Sequence, residues 1–285
     1  MATLKEIKGR IQSVKSTHKI TSAMKMVASA KLHKAQSAIE GMLPYEQSLQ
    51  RTLDELLKYV RPDENWSAGR ALRRVTLVCM ASNSSLCGGF NANVIRLALS
   101  RIAALRASGV EEITVYSVGR KMAEAMRKAG YPSPVDYTEL SAKPAYEEAA
   151  ALSDALVRAF LEGKTDRVEL VYNHFVSTAT QRPSCETYLP LSLAPAGEGE
   201  PSDDYIIEPD RETLLDTLLP KTLKLKIYTV LLDSSASEHA ARTVAMQTAS
   251  DNAEDILQEL SLEYNKSRQA KITSEILDLA GGMQE

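Results

Sequence analysis

The most chemistry-like cluster in this sequence is Leu86-Cys87-Gly88-Gly89. It follows residues 73–81 (RRVTLVCMA), which read as a buried strand, and precedes a helix-like stretch. A glycine-bearing turn between strand and helix can present backbone N–H groups to a phosphate. A cysteine at a helix start can act as a nucleophile, because the helix N-terminus lowers its pKa. Both readings lack their other parts. The chain contains neither G-x-G-x-x-G nor G-x-x-x-x-G-K-[ST]. Tyr116-Ser117-Val118-Gly119 closes the second strand-like run without an acidic side chain for a ribose. The four histidines, His18, His33, His174 and His239, lack metal-ligand spacing, and only His174 lies off the two long helical segments. No carboxylate pair stands out as an acid/base dyad. The simpler reading of the turn is structural, with glycine supplying backbone conformations other residues avoid. No catalytic residue, metal site or cofactor is expected.

The elements around that turn alternate. Residues 73–81 and 113–118 read as strands, and 92–108, 120–129 and 146–162 as helices. Residues 168–175 and 184–191 read as an antiparallel pair joined around Thr180-Gln181-Arg182-Pro183. Alternating strands and helices predict an open α/β sheet over residues 70–209. Residues 194–204 form a Pro/Gly/acidic loop. Residues 213–232 are apolar at helical spacing despite Pro220, although Ile227, Thr229 and Val230 are β-branched.

Both ends of the chain read as helices far longer than the usual three turns. Between residues 234 and 282, Met246, Ala249, Ala253, Ile256, Leu260, Tyr264, Ser267, Ala270, Ser274 and Leu277 recur in steps of three and four. Such a helix reaches about 70 Å and needs an equally long partner to cover its seam. Residues 2–60 supply one, with Leu4, Ile7, Ile11, Val14, His18, Thr21, Lys25, Ala28, Leu32, Ala35, Ile39 and Met42. Where that row turns polar, Ile20, Met24 and Val27 are expected to take over. Thr3 and Glu6 have capping-box spacing; Pro44 is expected to kink or interrupt the helix, and Arg61-Pro62-Asp63 to end it. The first helix is rich in Lys and Arg, the last in Asp and Glu, which favours antiparallel pairing. The last helix adds a second apolar row, Ile272, Ile276, Leu279 and Met283. A tip apolar nearly all round belongs inside its own protein or in a sleeve made by another, and the sleeve is the preferred reading.

The fold class is therefore α/β: an antiparallel coiled coil of two long terminal helices (1–60 and 210–285) with an inserted Rossmann-like domain (70–209). With 285 residues, 44% hydrophobic, 25% charged and a net charge of −3, the chain looks globular and carries no overall nucleic-acid signal. The basic run in the first helix lacks interleaved aromatics, which also argues against nucleic acid. No stretch is long and apolar enough to span a membrane, and no signal-type leader is seen. Three cysteines without metal spacing, Cys79, Cys87 and Cys185, suggest a reducing cytoplasmic setting.

Several segments together resemble one family. Ile7-Lys8-Gly9-Arg10-Ile11 and residues 18–28 (HKITSAMKMVA) are similar to the N-terminal helix of the rotary ATP synthase gamma subunit. Residues 86–91 (LCGGFN) resemble its turn after the first strand, and residues 237–242 (SEHAAR), 251–253 (DNA), 264–270 (YNKSRQA) and 272–275 (ITSE) its C-terminal helix. Where the family commonly has Asp-Arg-Gly, this chain has Asn83-Ser84-Ser85, so any contact made there by charged residues is altered.

The resemblance implies a non-catalytic central stalk of a bacterial enzyme, peripheral on the cytoplasmic face of the inner membrane. It would transmit torque between a proton-driven membrane ring and the catalytic hexamer, and regulate ATP hydrolysis. The coiled coil would turn inside three alpha and three beta subunits, with the α/β domain against the epsilon subunit and the rotor ring. It implies hexamer contacts at Met24, Lys25, Met26, Arg242, Arg268, Gln269, Thr273 and Ile276, and a structural turn at Leu86, Cys87, Gly88 and Gly89. Two other readings remain: a coiled-coil adaptor with a Rossmann-like head, and a nucleotide-binding enzyme using the Cys87-Gly88-Gly89 turn.

Overall fold

The computed structural model describes residues 3–57, 66, 71–191, 208 and 210–281. The chain opens with α1 (Leu4–Leu57), a helix of 54 residues. Its start is a capping box: the Thr3 amide donates to Glu6 Oε2 at 2.8 Å, and the Glu6 amide to Thr3 Oγ1 at 3.3 Å. Of the two expectations for Pro44, the interruption is not seen: the helix runs on through it. A proline removes one backbone hydrogen bond, at a cost of about 3 kcal/mol. Here the helix is held on both sides of it, by buried Leu32 and Ala35 before and by Leu49, Leu53 and Leu56 after. The expected terminator Arg61-Pro62-Asp63 and the loop at 194–204 lie outside the described residues.

The middle of the chain builds β1 (Arg74–Met80), α2 (Phe90–Ala107), β2 (Glu112–Val118), α3 (Arg120–Lys128), α4 (Thr138–Ala142), α5 (Tyr146–Leu161), β3 (Arg167–Phe175) and β4 (Gln181–Leu189). The four strands lie in the order β2-β1-β3-β4, with β1 parallel to both neighbours and β4 antiparallel to β3. This is the α/β class anticipated from the alternating pattern. The β3–β4 turn falls three to four residues earlier than expected, at residues 176–180, where the Val176 and Ser177 amides both donate to Thr180 O. Pro183 belongs to β4, an edge strand, where a missing N–H is tolerated.

The sheet is covered on both faces. Leu77, Cys79, Val115 and Val171 pack with Val94, Ala98 and Ile102 of α2 and with Met122 and Met126 of α3. The alternate residues, Val78, Met80, Leu170 and Tyr172, pack with Leu152, Leu156 and Phe160 of α5. The same face also takes Leu223, Ile227, Val230 and Leu231 from the last helix, α6 (Arg211–Gly281). Tyr188 of β4 ties this layer together, bonding Ser153 of α5 at 2.7 Å and donating to Leu223 O of α6 at 3.1 Å. At the open end of the sheet Gly119 has φ +94°, and a β-carbon there would stand 2.0 Å from Ala81 O. Only glycine fits that approach between the ends of β1 and β2.

The 71 residues of α6 form one helix, reaching about 105 Å and passing through Pro220. It runs antiparallel to α1. Leu53 packs with Leu215 and Leu219, Leu32 and Ala35 with Ala236 and Ala240, and Thr21 Oγ1 meets Ser250 Oγ at 2.8 Å. Every member of the expected α1 seam is buried or half-buried, polar Thr21 included. Of the neighbouring row, only Met24 is half-buried; Ile20 and Val27 are exposed, so the row does not take over. The hydroxyl of Thr21 stays in the seam because it is paired with Ser250 Oγ across it. On α6 the seam follows Met246, Ser250, Ala253, Leu257, Leu260, Tyr264 and Ser267, with Ile256 turned outward.

Candidate functional site

The turn after β1 is anchored on its inner side by buried Ser82, Cys87 and Phe90, while Ser84, Ser85, Leu86, Gly88 and Gly89 are exposed. Leu86 has φ +66° and is 60% exposed, whereas Cys87 is 1% exposed and clusters with Phe90 and Ala241. Gly88 has φ +57°, and its β-carbon position lies 4.0 Å from Ala245 Cβ of α6. Gly89 is the N-cap of α2 and makes no side-chain cap bond. Asn91 fills the turn: its Oδ1 accepts from the Ser82 amide at 3.0 Å, and its Nδ2 donates to Ser82 Oγ, Ser84 O and Cys87 Sγ. The histidine expected nearest to Cys87, His174, is engaged elsewhere, with Nδ1 2.7 Å from Asp233 Oδ2. The turn thus has the geometry of a structural junction. Among the described residues no cluster of His, Cys, Asp and Glu could hold a metal ion, and no helix is long and apolar enough to cross a membrane.

Asn83 is the hub on the other side of the turn. Its Oδ1 accepts from the Arg120 amide at 2.8 Å, its Nδ2 donates to Thr138 O at 2.8 Å, and its backbone O accepts from the Arg120 guanidinium. A carboxylate at this position could not make the bond to Thr138 O, so the departure at Asn83 suits the loop it sits in. Ser84 and Ser85 face α6. Arg242 donates to Ser84 Oγ at 2.9 Å, to Ser85 O, and to Glu238 Oε1 at 2.7 Å. Arg242 is only 9% exposed, so the guanidinium implied as a hexamer contact is engaged within its own chain. Burial pushes the Glu238 carboxyl up, against the pull of Arg242 and of Lys31 across on α1. Nothing in sequence spacing links Ser84 to Arg242, which stand 158 positions apart.

The remaining candidate contacts fall at two levels of the coiled coil. Met24 and Lys25 are half-buried and Met26 is 66% exposed. Arg268, Gln269, Thr273 and Ile276 lie far along α6, all exposed, with Ile276 at 59%. The register explains why. Carrying the Thr21–Ser250 pairing to the start of α1 places Leu4 opposite about Ser267, the last half-buried residue of α6. Beyond it residues 268–277 of α6 are all exposed, over about 15 Å of helix, with no other described residue covering them. Ile272, Ile276 and Leu277 are exposed on this bare segment. Leu279 and Met283, expected in the same row, lie outside the side chains described. A single helix with exposed Ile and Leu at its end is a surface built to be covered.

These features define a class: a long antiparallel coiled-coil shaft rooted in an α/β head, with an unpaired apolar tip. Comparison with known proteins agrees. Residues 3–284 match the family described as ATP synthase. The chain is 53% identical to the ATP synthase gamma chain of Phocaeicola vulgatus, over 99% of each protein. It is 51% identical to that of Bacteroides fragilis, again over 99% of each. Among solved structures, a chain of the Euglena gracilis mitochondrial ATP synthase rotor superposes with a TM-score of 0.60 at 19% identity, covering 94% of this chain and 98% of that one. A chain of the Tetrahymena thermophila central stalk and c-ring gives 0.59 at 23%, covering 81% and 99%. The chain belongs to the ATP synthase gamma chain family.

Proposed function

We propose that this chain is the central-stalk rotor of a bacterial ATP synthase, itself without catalytic residues. Residues 1–60 and 210–285 form the shaft and residues 70–209 the head. The observation that carries this reading is the single helix α6: one end is a layer of the head, the other a bare apolar tip. Rotation applied to the head reaches the tip through one unbroken helix. The head engages the epsilon subunit and the membrane rotor ring, on the cytoplasmic face of the inner membrane. The coil turns inside three alpha and three beta subunits and carries the coupling of proton transport to ATP synthesis. Hexamer contacts are Met24, Lys25 and Met26 at the lower level, and Arg268, Gln269, Thr273 and Ile276 at the tip. Arg242 supports the lower level from within the chain.

Reconstitution tests the reading. Mixing the chain with its matching alpha and beta subunits, with and without residues 270–285, should give a complex with one copy of the chain. ATP hydrolysis should depend on the chain's presence, and the truncation should weaken that dependence. No complex and unchanged hydrolysis would shift the assignment to a coiled-coil adaptor.

A further inference from the structure

Open α/β sheets take their ligands in a crevice outside the C-terminal ends of the parallel strands. In this chain α6 crosses that crevice. Leu231, Ser234, Ser235 and Glu238, at helix positions i, i+3, i+4 and i+7, share one face of α6. They look onto Met80 and Ala81 at the end of β1, Val118 at the end of β2, and Ser141 of α4. Between them lies a cavity with about 10 Å³ open to the centre of a water molecule. A nucleotide or a phosphate has no room there, whereas one water needs about that much. We propose that this cavity is the binding site of a single structural water, held between Glu238 and the hydroxyls of Ser141, Ser234 and Ser235. The site is independent of the rotor reading.

The lining sorts into acceptors and donors that one water matches. Glu238 Oε1 accepts from Arg242 at 2.7 Å, and its second oxygen has no partner among the described residues. Burial pushes the Glu238 carboxyl up in spite of Arg242, as befits a carboxylate short of donors. Ser141 commits its hydrogen to Ala81 O at 2.9 Å, which leaves its oxygen to accept. Ser234 is 7% exposed, and neither its hydroxyl nor that of Ser235 bonds to another described residue. Both hydroxyls are therefore free to donate. The water donates its two hydrogens to Glu238 Oε2 and Ser141 Oγ, and accepts from Ser234 and Ser235. It spares a carboxylate oxygen and the Ser234 hydroxyl the cost of burial without a partner. It also links α4 of the head to α6 at the sheet end. A cation fits the site less well. Arg242 already supplies the positive charge beside the only carboxylate in the lining, and a hard cation asks for six or more oxygens.

The natural chain, alone or assembled, provides the test. A crystal structure at a resolution that shows ordered water should hold a peak within hydrogen-bond distance of Glu238 Oε2, Ser141 Oγ and at least one of the two α6 hydroxyls. Crystals grown in thallium(I), which stands in for potassium and scatters anomalously, should give no anomalous peak at that place. Ser234→Val puts methyl groups where the hydroxyl and the water stand, so the peak should be lost. The proposal is overturned if the natural chain shows well-defined side chains and no peak, or a direct bond from Ser234 to Glu238 that closes the cavity. An anomalous thallium peak would assign the site to a cation instead, and a peak unmoved by Ser234→Val would rule out the hydroxyl as a ligand; either overturns it. Should the variant fail to fold, the two crystals of the natural chain decide.

Discussion

His239 lies one turn before Arg242 on α6, its Nδ1 buried and without a hydrogen-bond partner among the described residues. Burial lowers its pKa to about 4, and the charges of Lys31 and Arg242 add to that. The imidazole is therefore neutral in the folded chain across the physiological range. In the unfolded chain it takes up a proton near pH 6.5. Stability is full above that value, falls as the pH drops towards 4, and levels off below it. Glu238 acts in the opposite sense, because its raised pKa lets the folded state accept a proton first. His239→Gln removes only the histidine contribution. Denaturant midpoints of the isolated chain between pH 7 and 4.5 should fall more for the natural protein than for His239→Gln. Parallel curves would show that the ring is protonated in place. At this scale little was legible in advance. Spacing places His239 on a long helix and nothing more, because part of its surroundings comes from Lys31 on another segment.

The seam of α1 and α6 is set by pairing, and its polar layer is the most informative part. Thr21 Oγ1 and Ser250 Oγ meet at 2.8 Å, both nearly buried, with Ser22 Oγ 3.4 Å from Ser250. Hydroxyls inside a coiled coil favour the one register in which they meet. Thr21→Val leaves Ser250 short of its partner, and Ser250→Ala does the same to Thr21. Each should cost about 1 kcal/mol, and the double substitution clearly less than the sum. A double-mutant cycle by denaturant unfolding checks this; additive losses would show that the hydroxyls do not act on each other. The α1 stripe was readable from spacing, through Thr21 and Lys25 as well as the apolar positions. The expected shift to Ile20 and Val27 failed because hydropathy alone cannot register a small polar residue with a partner across the seam.

The whole molecule works, on this account, only if it is stiff. Ala28 and Ala253 are both buried in the seam, one on each helix. Proline at either removes a backbone bond and clashes with the preceding turn, costing about 3 kcal/mol and bending the rod. Ala28→Pro combined with Ala253→Pro should leave ATP hydrolysis in the assembled complex less tightly tied to proton transport. Pumping that still follows hydrolysis in proportion would sink the rigid-shaft account. Much of this architecture was written locally. Two helices of unusual length, the capping box at Thr3 and Glu6, the alternating α/β elements and the family motifs all follow from spacing and residue type over a few turns of chain. Tertiary structure alone decided the rest. It placed Leu223, Ile227, Val230 and Leu231 of α6 in the head's core, joined Arg242 to Ser84 and Ser85, and left residues 268–277 exposed beyond the last described contact with α1. The physical reason is separation: periodicity reports which face of a segment is apolar, whereas the partner of that face is fixed by contacts between residues as far apart as Thr21 and Ser250.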